Sequence, residues 1–259
     1  MKERFFMADF ETLTEKAMEV GNEKFCRVWA GCMTDIDKAN WDVPTDQLDY
    51  LYSTSFSEWL EQALNISERQ HTTIYFHNLK FDGSFILENL LNPQLIDEPW
   101  HVLQEKEKPS PKSLEVLISD GQWFSITLYP DWLKNKKGEY AMHNKRKQIR
   151  RVSICDSLKK IPVGVADMAK SYGLDVLKDG LDYDEYRPVG HKLTDHEKYY
   201  IRHDVGIVAK VLKYFRENDM TNLTISSDAM ADYKESIGDK QFKEWYPKLS
   251  DVEDEFVRQ

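Results

Sequence analysis

Residues 5–11 read FFMADFE, an apolar segment that ends in two carboxylates, Asp9 and Glu11. Aromatic and β-branched residues at 5–9 and 25–34 predict two β-strands, and the Gly-Asn pair at 21–22 predicts a hairpin turn between them. Side chains two apart in a strand lie on the same face. Because two like charges so close repel each other, this pair is suited to bind a magnesium or manganese ion.

A third carboxylate follows the predicted strand 73–77, within the segment YFHNLKFDGSFI. Asp82 stands before a predicted helix over residues 83–91, near the positive end of the helix dipole. N-capping alone would also explain Asp82, and Phe81 and Phe85 would by default belong to the core. An aromatic side chain beside a nucleic-acid site can instead stack on a base.

A fourth carboxylate lies on a long predicted helix over residues 194–218, which Thr194 and Glu197 open as a capping box. Tyr200 and Asp204 are four apart on this helix and therefore share a face. A phenol in such a position can orient an attacking water. An amphipathic helix with a polar side would explain the same two residues.

The rest of the sequence alternates further strands and helices, which predicts a mixed α/β layer structure. Residues 92–112 are rich in Pro, Glu and Lys and predict an exposed loop. Helices are predicted at 56–64, 162–172, 227–237 and 241–245, and strands at 114–119, 123–129 and 152–155.

Residues 133–151 form a basic segment, LKNKKGEYAMHNKRKQIRR, in which Glu139 is the one acid. It joins two predicted strands, so the simplest interpretation is the solvated tip of a hairpin. The functional alternative is a contact with the DNA backbone. The basic side chains are Lys134, Lys136, Lys137, Lys145, Arg146, Lys147, Arg150 and Arg151.

Composition narrows the class of protein. With 259 residues, one large domain with peripheral additions is expected. A net charge of -10 argues against coating a polyanion with the whole surface, but a cluster of cation-binding carboxylates would account for several of those charges. Cys26, Cys32 and Cys155 match no disulfide or zinc pattern, which predicts three buried reduced thiols. No segment has the length of a membrane span or a secretion signal, so a cytoplasmic location is expected.

The order of these carboxylates resembles a known layout. A strand Asp-x-Glu, an Asp at a helix start and a late Tyr-x-x-x-Asp are similar to the DEDD exonucleases of the RNase H-like fold, in their tyrosine subclass. The histidine subclass would place His five residues before the last Asp, where Tyr199 stands.

Several longer segments resemble the exonuclease domain of protein-primed family B DNA polymerases from small phages. They are FHNLKFDG, DSLKK at 156–160, VLKDGLDY at 176–183, RPVGHKLT at 187–194 and YIRHD at 200–204. The resemblance covers nearly the whole chain. It implies an α/β, RNase H-like mixed sheet flanked by helices over residues 1–220, followed by a helical extension over 221–259.

The resemblance also implies an activity and its residues. Asp9, Glu11, Asp82 and Asp204 would hold two divalent cations, Mg²⁺ or Mn²⁺, with Tyr200 and Lys178 as further catalytic residues. The product would be 5′-mononucleotides from the 3′ end of single-stranded DNA. Contacts with that DNA, or with the priming terminal protein, would come from Thr12, Tyr75, His77, Asn78, Phe81, Phe85, Ser157, Leu158 and Tyr183.

Two rival functions stay open from the sequence: a DNA- or terminal-protein-binding module with little turnover, and an RNA exonuclease. The polymerase strings Asp-x-x-Ser-Leu-Tyr-Pro and Asp-Thr-Asp do not occur. The chain is therefore not expected to polymerise DNA alone. It is either an N-terminal part of a polymerase, whose polymerase domain would then be a partner, or a standalone relative. A phage-encoded protein would work in the bacterial host cytoplasm.

Overall fold

The computed structural model describes residues 3–174 and 180–247. Its centre is an eight-stranded mixed sheet in the order β3-β2-β1-β4-β10-β7-β6-β5, and β8 with β9 forms a separate two-stranded ribbon. The strands are β1 (Arg4–Thr12), β2 (Val28–Asp35), β3 (Tyr50–Ser53), β4 (Thr72–Phe76), β5 (His101–Val102), β6 (Ser113–Ser119), β7 (Gln122–Tyr129), β8 (Met142–His143), β9 (Arg146–Lys147) and β10 (Val152–Asp156).

Helices cover both faces of the sheet. They are α1 (Glu15–Gly21), α2 (Phe56–Ile66), α3 (Leu79–Leu91), α4 (Val165–Tyr172), α5 (Asp195–Glu217), α6 (Ile225–Ile237) and α7 (Asp239–Trp245). Short 3₁₀ helices lie at Ile36–Lys38, Thr45–Gln47 and Ser157–Lys159. This architecture confirms the predicted α/β, RNase H-like mixed sheet flanked by helices.

The two faces of the sheet have separate cores. Met7 belongs to the cluster that joins α4 and α5 to the sheet, and Phe10 belongs to the cluster under α2 and α3. Because side chains alternate along a strand, Asp9 and Glu11 lie on the same side as Met7. The predicted pair of carboxylates therefore faces the layer that contains α5.

Strand direction places three strand ends at one edge. Strand β4 is parallel to both β1 and β10, so the carboxyl ends of the three strands lie together. All five residues of β4 are buried, which is typical of a parallel strand covered on both faces. Side chains that follow these strands are therefore brought to a common edge.

The predicted direct hairpin between β1 and β2 is wrong in its connection. The strands are antiparallel neighbours, but α1 lies between them. The Thr14 side chain caps this helix by accepting from the Ala17 backbone N–H, and Asn22 ends it in a left-handed conformation with φ of 51°. Asn22 is thus a helix C-cap residue rather than part of a hairpin turn.

Other boundaries also differ from the sequence predictions. Asp82 is the fourth residue of α3 and not its N-cap, which is Asn78. Strand β3 was not predicted, and the expected loop at 92–112 contains β5. The predicted helices that became α2, α4, α5, α6 and α7 are confirmed within a few residues.

The thiol prediction is wrong for one cysteine. Cys32 and Cys155 are buried and free, but Cys26 is exposed, and its Sγ donates to the carbonyl of Leu13 at 2.9 Å. Within residues 3–174 and 180–247, no helix is both long and apolar enough to cross a membrane.

Candidate active site

The four predicted carboxylates come from three elements and meet at the edge where β1, β4 and β10 end. Asp9 and Glu11 lie on β1, Asp82 on the first turn of α3 and Asp204 on α5. They are close enough to affect one another electrostatically. Besides burial, the charge of Asp204 raises the pKa of Asp9, and the charge of Asp9 raises the pKa of Glu11 and of Asp82. We call these four residues the carboxylate cluster.

Burial is the larger cause of the shifts in the cluster. Desolvation, followed by the charge of Asp204, raises the pKa of Asp9 to about 7. Desolvation also raises the pKa of Glu11 and of Asp82 well above the usual range, and the charge of Arg187 opposes the shift at Glu11. Paired carboxylates of this kind take up protons unless a cation lies between them.

The donor set fits a divalent cation in its chemistry. Carboxylate oxygens are the ligands that Mg²⁺ and Mn²⁺ prefer. Asp82 is 3% exposed, and its Oδ1 is buried without a hydrogen-bond partner among the described residues. In the same part of the chain, no three His, Cys, Asp or Glu side chains are already arranged as ligands of one ion. The fit therefore depends on the donor type and on the unpaired Oδ1.

The raised pKa of Asp9 predicts how the Asp9→Asn variant will respond to pH without metal. An unfolded Asp loses its proton near pH 4, whereas native Asp9 keeps its proton to about pH 7. Wild-type stability therefore falls as pH rises through this window. The asparagine side chain cannot ionise, so we expect the variant to gain about 1–3 kcal/mol in free energy of unfolding at pH 8 and much less at pH 4.

Urea unfolding in the presence of EDTA at several pH values would measure this gain. Asp97→Asn, in an exposed loop, is the matched control and should show no such pH-dependent gain. Equal stability of wild type and Asp9→Asn from pH 4 to pH 8 would contradict the raised pKa.

Two tyrosines stand beside the carboxylate cluster. Tyr200 lies one turn before Asp204 on α5, as predicted, and its hydroxyl is 2.9 Å from the hydroxyl of Tyr183. Burial is the first cause that raises the pKa of both tyrosines, and the charge of Glu11 adds to it. Both hydroxyls therefore keep their protons at neutral pH and can donate hydrogen bonds.

A buried arginine holds the segment that carries Tyr183. The guanidinium of Arg187 donates to Glu197 at 2.6 Å and to the carbonyls of Asp182 and Glu185 at 2.8 and 2.9 Å. It also lies 4.3 Å from the ring centroid of Trp29. The sequence predictions included Arg187 only in a segment that resembles a family, and they missed its role. The capping box could have indicated a partner for Arg187, because it placed the carboxylate of Glu197 at the start of a helix.

A buried aspartate orders the turn before α3. Asp156 is 2% exposed, and its Oδ1 accepts from the backbone N–H of Asn78 at 3.1 Å and of Leu158 at 3.0 Å. Asn78 is left-handed, with φ of 74°, an unusual conformation for a residue other than glycine. Asp156 was also missed, although an Asp that begins a turn can accept from the backbone two residues later.

The predicted DNA-contact residues differ in exposure. Asn78, Phe81 and Tyr183 are exposed, with Phe81 at 51%, whereas Thr12, His77, Phe85 and Leu158 are half-buried. The rings of Phe81 and Phe85 pack edge to face with centroids 5.3 Å apart. A groove of about 680 Å³ begins at Phe85 and is lined further by Phe25 and Leu95.

Two of the predicted site residues are buried and not available on this surface, and a third cannot be placed on it. Tyr75 is 7% exposed within the core shared with α5. Ser157 is fully buried; its hydroxyl donates to the carbonyl of Phe76 at 3.0 Å and lies 3.0 Å from Nδ1 of His77. Lys178 lies outside the described residues. Direct DNA contacts by Tyr75 and Ser157 stay predictions.

Comparison with known proteins gives consistent matches. The family model for organellar and viral type B DNA polymerases matches residues 64–259. The DNA polymerase of Bacillus phage phi29 is 32% identical over 259 residues, which are all of this chain and 38% of the relative. The DNA polymerase of Streptococcus phage Cp-1 is 26% identical over 98% of this chain and 38% of its own length.

A solved structure matches as well. Phi29 DNA polymerase complexed with single-stranded DNA superposes with a TM-score of 0.72 at 29% identity, over 93% of this chain and 36% of that chain. The chain therefore spans somewhat more than a third of the length of the proteins that it matches.

Proposed function

The chain belongs to the organellar and viral family of type B DNA polymerases, and on that premise we propose that it is a 3′-to-5′ exonuclease acting on single-stranded DNA. It would release 5′-mononucleotides and serve as the proofreading part of a protein-primed polymerase. The observation that carries the proposal is the convergence of Asp9, Glu11, Asp82 and Asp204. The exposed Phe81 directly precedes Asp82 in α3.

The carboxylate cluster would hold two divalent cations, Mg²⁺ or Mn²⁺. When bound, such cations activate the attacking water and neutralise charge on the phosphate. The unpaired Oδ1 of Asp82 would be one of the cation ligands. Lys178, outside the described residues, is proposed to balance the remaining charge near the scissile phosphate.

The tyrosines would position the attacking water. Tyr200 lies one helical turn before Asp204, and its protonated hydroxyl would orient that water. The Tyr183 hydroxyl, 2.9 Å away, would fix the direction of the Tyr200 hydroxyl. Because the Arg187 guanidinium binds the carbonyls on either side of Tyr183, the position of Tyr183 depends on a buried anchor.

The exposed surface around α3 would hold the frayed 3′ end. Phe81 would stack on a terminal base, with Asn78 and Thr12 beside the sugar and phosphate. A paired terminus must first unpair to enter, so a mismatched end enters more easily. This selectivity for unpaired ends is the physical basis of proofreading.

The proposed partners follow from the family. One matching structure is that of phi29 DNA polymerase complexed with single-stranded DNA, and we propose the same class of ligand for this chain. A polymerase domain and a priming terminal protein are further proposed partners.

The proposal is tested by incubating the protein and Mg²⁺ or Mn²⁺ with matched DNA and RNA oligonucleotides and separating the products by chromatography. Release of deoxynucleoside 5′-monophosphates from DNA, faster than the release from RNA, is expected. Faster release from RNA would favour the RNA exonuclease, since the 2′-hydroxyl is the feature that differs. Tight DNA binding with no release would favour the binding module.

Replacement of Phe81 by alanine should weaken substrate binding more than turnover. Stacking of one base on an aromatic ring contributes about 1–3 kcal/mol, so we expect the KM for single-stranded DNA to rise about tenfold with a smaller change in kcat. Trp245→Ala is the matched control, because Trp245 is similarly exposed, at 55%, but lies on α7. An unchanged KM in Phe81→Ala would remove Phe81 from the substrate site.

A further inference from the structure

An arm between β7 and β10 carries positive charge that the proposed exonuclease does not use. It spans residues 131–150 and includes the β8–β9 ribbon, with isolated bridges between Trp132 and Ile149 and between Lys134 and Tyr140. The predicted hairpin is therefore confirmed. We call this arm together with Arg151, which follows it, the basic arm (residues 131–151).

Four exposed cations of the basic arm have neither an ion pair nor an aromatic partner among the described residues. Lys136, Lys137, Lys145 and Arg146 are exposed, and none of them has a carboxylate within salt-bridge distance in the described part of the chain. The chain as a whole has a net charge of -10. This concentration of unpaired positive charge on one arm is therefore local and opposite in sign to the whole protein.

Arg150 and Lys147 of the basic arm have internal partners. Arg150 is 5% exposed, donates to the carbonyl of Leu64 at 2.7 Å and pairs with Asp131 at 2.8 Å. Lys147 lies 4.0 Å from the ring centroid of Tyr140. These contacts fix the base and the middle of the arm, so the four unpaired cations project from an ordered support.

A cleft lies between the basic arm and the end of the sheet. It measures about 700 Å³, within the range of ligand sites, and its lining contains no carboxylate among the described residues. His71, His143, Arg146, Lys147 and Arg151 contribute its charged and titratable side chains. A cleft with this lining favours an anionic occupant with several hydrogen-bond acceptors.

This cleft and the carboxylate cluster lie at opposite ends of the central strands β4 and β10. Arg151 precedes β10, and its carbonyl accepts from the backbone N–H of Thr72 at the start of β4. Asp156, at the other end of β10, faces the turn that carries Asn78. At about 3.3 Å per strand residue, the two ends are roughly 17 Å apart. The basic arm is therefore a separate surface.

We propose that the basic arm is a second nucleic-acid contact, which binds the phosphodiester backbone of DNA at the end of β4 and β10 opposite the carboxylate cluster. Unpaired Lys and Arg side chains supply the phosphate contacts. Tyr140, 46% exposed in the same arm, supplies a ring on which a base can stack. This pairing of cations with an exposed aromatic ring favours a nucleic acid over an acidic protein.

The test is DNA binding by a variant with all four unpaired cations changed to alanine: Lys136→Ala, Lys137→Ala, Lys145→Ala and Arg146→Ala. Fluorescence anisotropy with a labelled single strand of about 30 nucleotides is measured in EDTA at several KCl concentrations. We expect affinity to fall at least tenfold at low salt. The slope of log K against log[salt] should become shallower by about 2–3, since each lost phosphate contact removes about 0.7.

The matched control changes four exposed lysines elsewhere and has the same net charge. Its substitutions are Lys106→Ala, Lys108→Ala, Lys240→Ala and Lys243→Ala, and its affinity and salt slope should remain near those of wild type. A strand of about six nucleotides fits within the site size of one binding groove. Its affinities for the wild type and for the arm variant should therefore differ less than those of the longer strand.

Equal affinities and equal salt slopes in the arm variant and the control would overturn the proposal. So would tighter binding of an acidic polypeptide than of DNA, if the arm variant abolishes that binding. Should the fourfold variant fail to fold by circular dichroism, Lys136→Gln with Lys137→Gln gives the same test at the tip of the arm. The assay involves no turnover, so an inactive enzyme that still binds through the arm would refute the exonuclease and not this contact.

Discussion

Replacing Asp9 and Glu11 together by alanine is expected to lower the rate of mononucleotide release from single-stranded DNA by about 10³-fold or more. The two side chains are half of the proposed cation-binding set. Loss of that set removes several kcal/mol of stabilisation from the transition state, and each 1.4 kcal/mol is a factor of ten in rate. Initial rates at saturating Mg²⁺ or Mn²⁺ would measure the loss.

The matched control for this double variant is Glu15→Ala with Glu19→Ala. Both residues are exposed on α1, and the change in net charge is the same. We expect the control to retain nearly the wild-type rate. The loss of rate in the Asp9→Ala, Glu11→Ala variant should also occur without loss of folding, because removal of two desolvated carboxylates relieves repulsion in the metal-free protein. A wild-type rate in the Asp9→Ala, Glu11→Ala variant would contradict the proposed role of these two residues in binding the catalytic cations.

Arg187→Ala is expected to lower the free energy of unfolding by about 3–5 kcal/mol. Removal of one partner from a buried ion pair leaves the other charge uncompensated. Here Glu197, 4% exposed, would lose its 2.6 Å contact, and the carbonyls of Asp182 and Glu185 would lose their donor. Chemical denaturation would measure the change, and exonuclease activity should also fall because Tyr183 loses its anchor.

An exposed arginine and a paired substitution serve as controls for Arg187. Arg69→Ala, at a side chain 59% exposed, should change stability by less than about 1 kcal/mol. Arg187→Leu combined with Glu197→Leu should destabilise less than the sum of the two single changes, because the double variant buries no unpaired charge. Additive losses, or a cost for Arg187→Ala no larger than that for Arg69→Ala, would contradict the anchoring role.

Much of the fold could be predicted from patterns among a few neighbouring residues. The aromatic residues of β1, the β-branched and aromatic residues of β4 and the capping box of α5 are each readable within a few positions. The same is true of Tyr200 and Asp204, because a spacing of four on a helix fixes their common face. Such features need no knowledge of distant contacts.

The features that the sequence predictions missed depend on distant contacts. Helix α1 has seven residues, too few to be stable by propensity alone, and it is held by the packing of Ala17 in the core. Arg187 lies over Trp29, far away in the sequence, and Asp156 accepts from the backbone N–H of Asn78 between the ends of the neighbouring strands β10 and β4. Pairings of this kind depend on the completed sheet and leave no periodic signal.

The most direct test of the proposed exonuclease is the product pattern from a DNA strand labelled at its 5′ end, followed over time with Mg²⁺ or Mn²⁺. We predict a ladder of labelled strands that shorten one nucleotide at a time, and no ladder with EDTA or with the Asp9→Ala, Glu11→Ala variant. A strand that stays intact under every metal condition would contradict the account. So would labelled mononucleotide as the first product, or an equal ladder from the double variant.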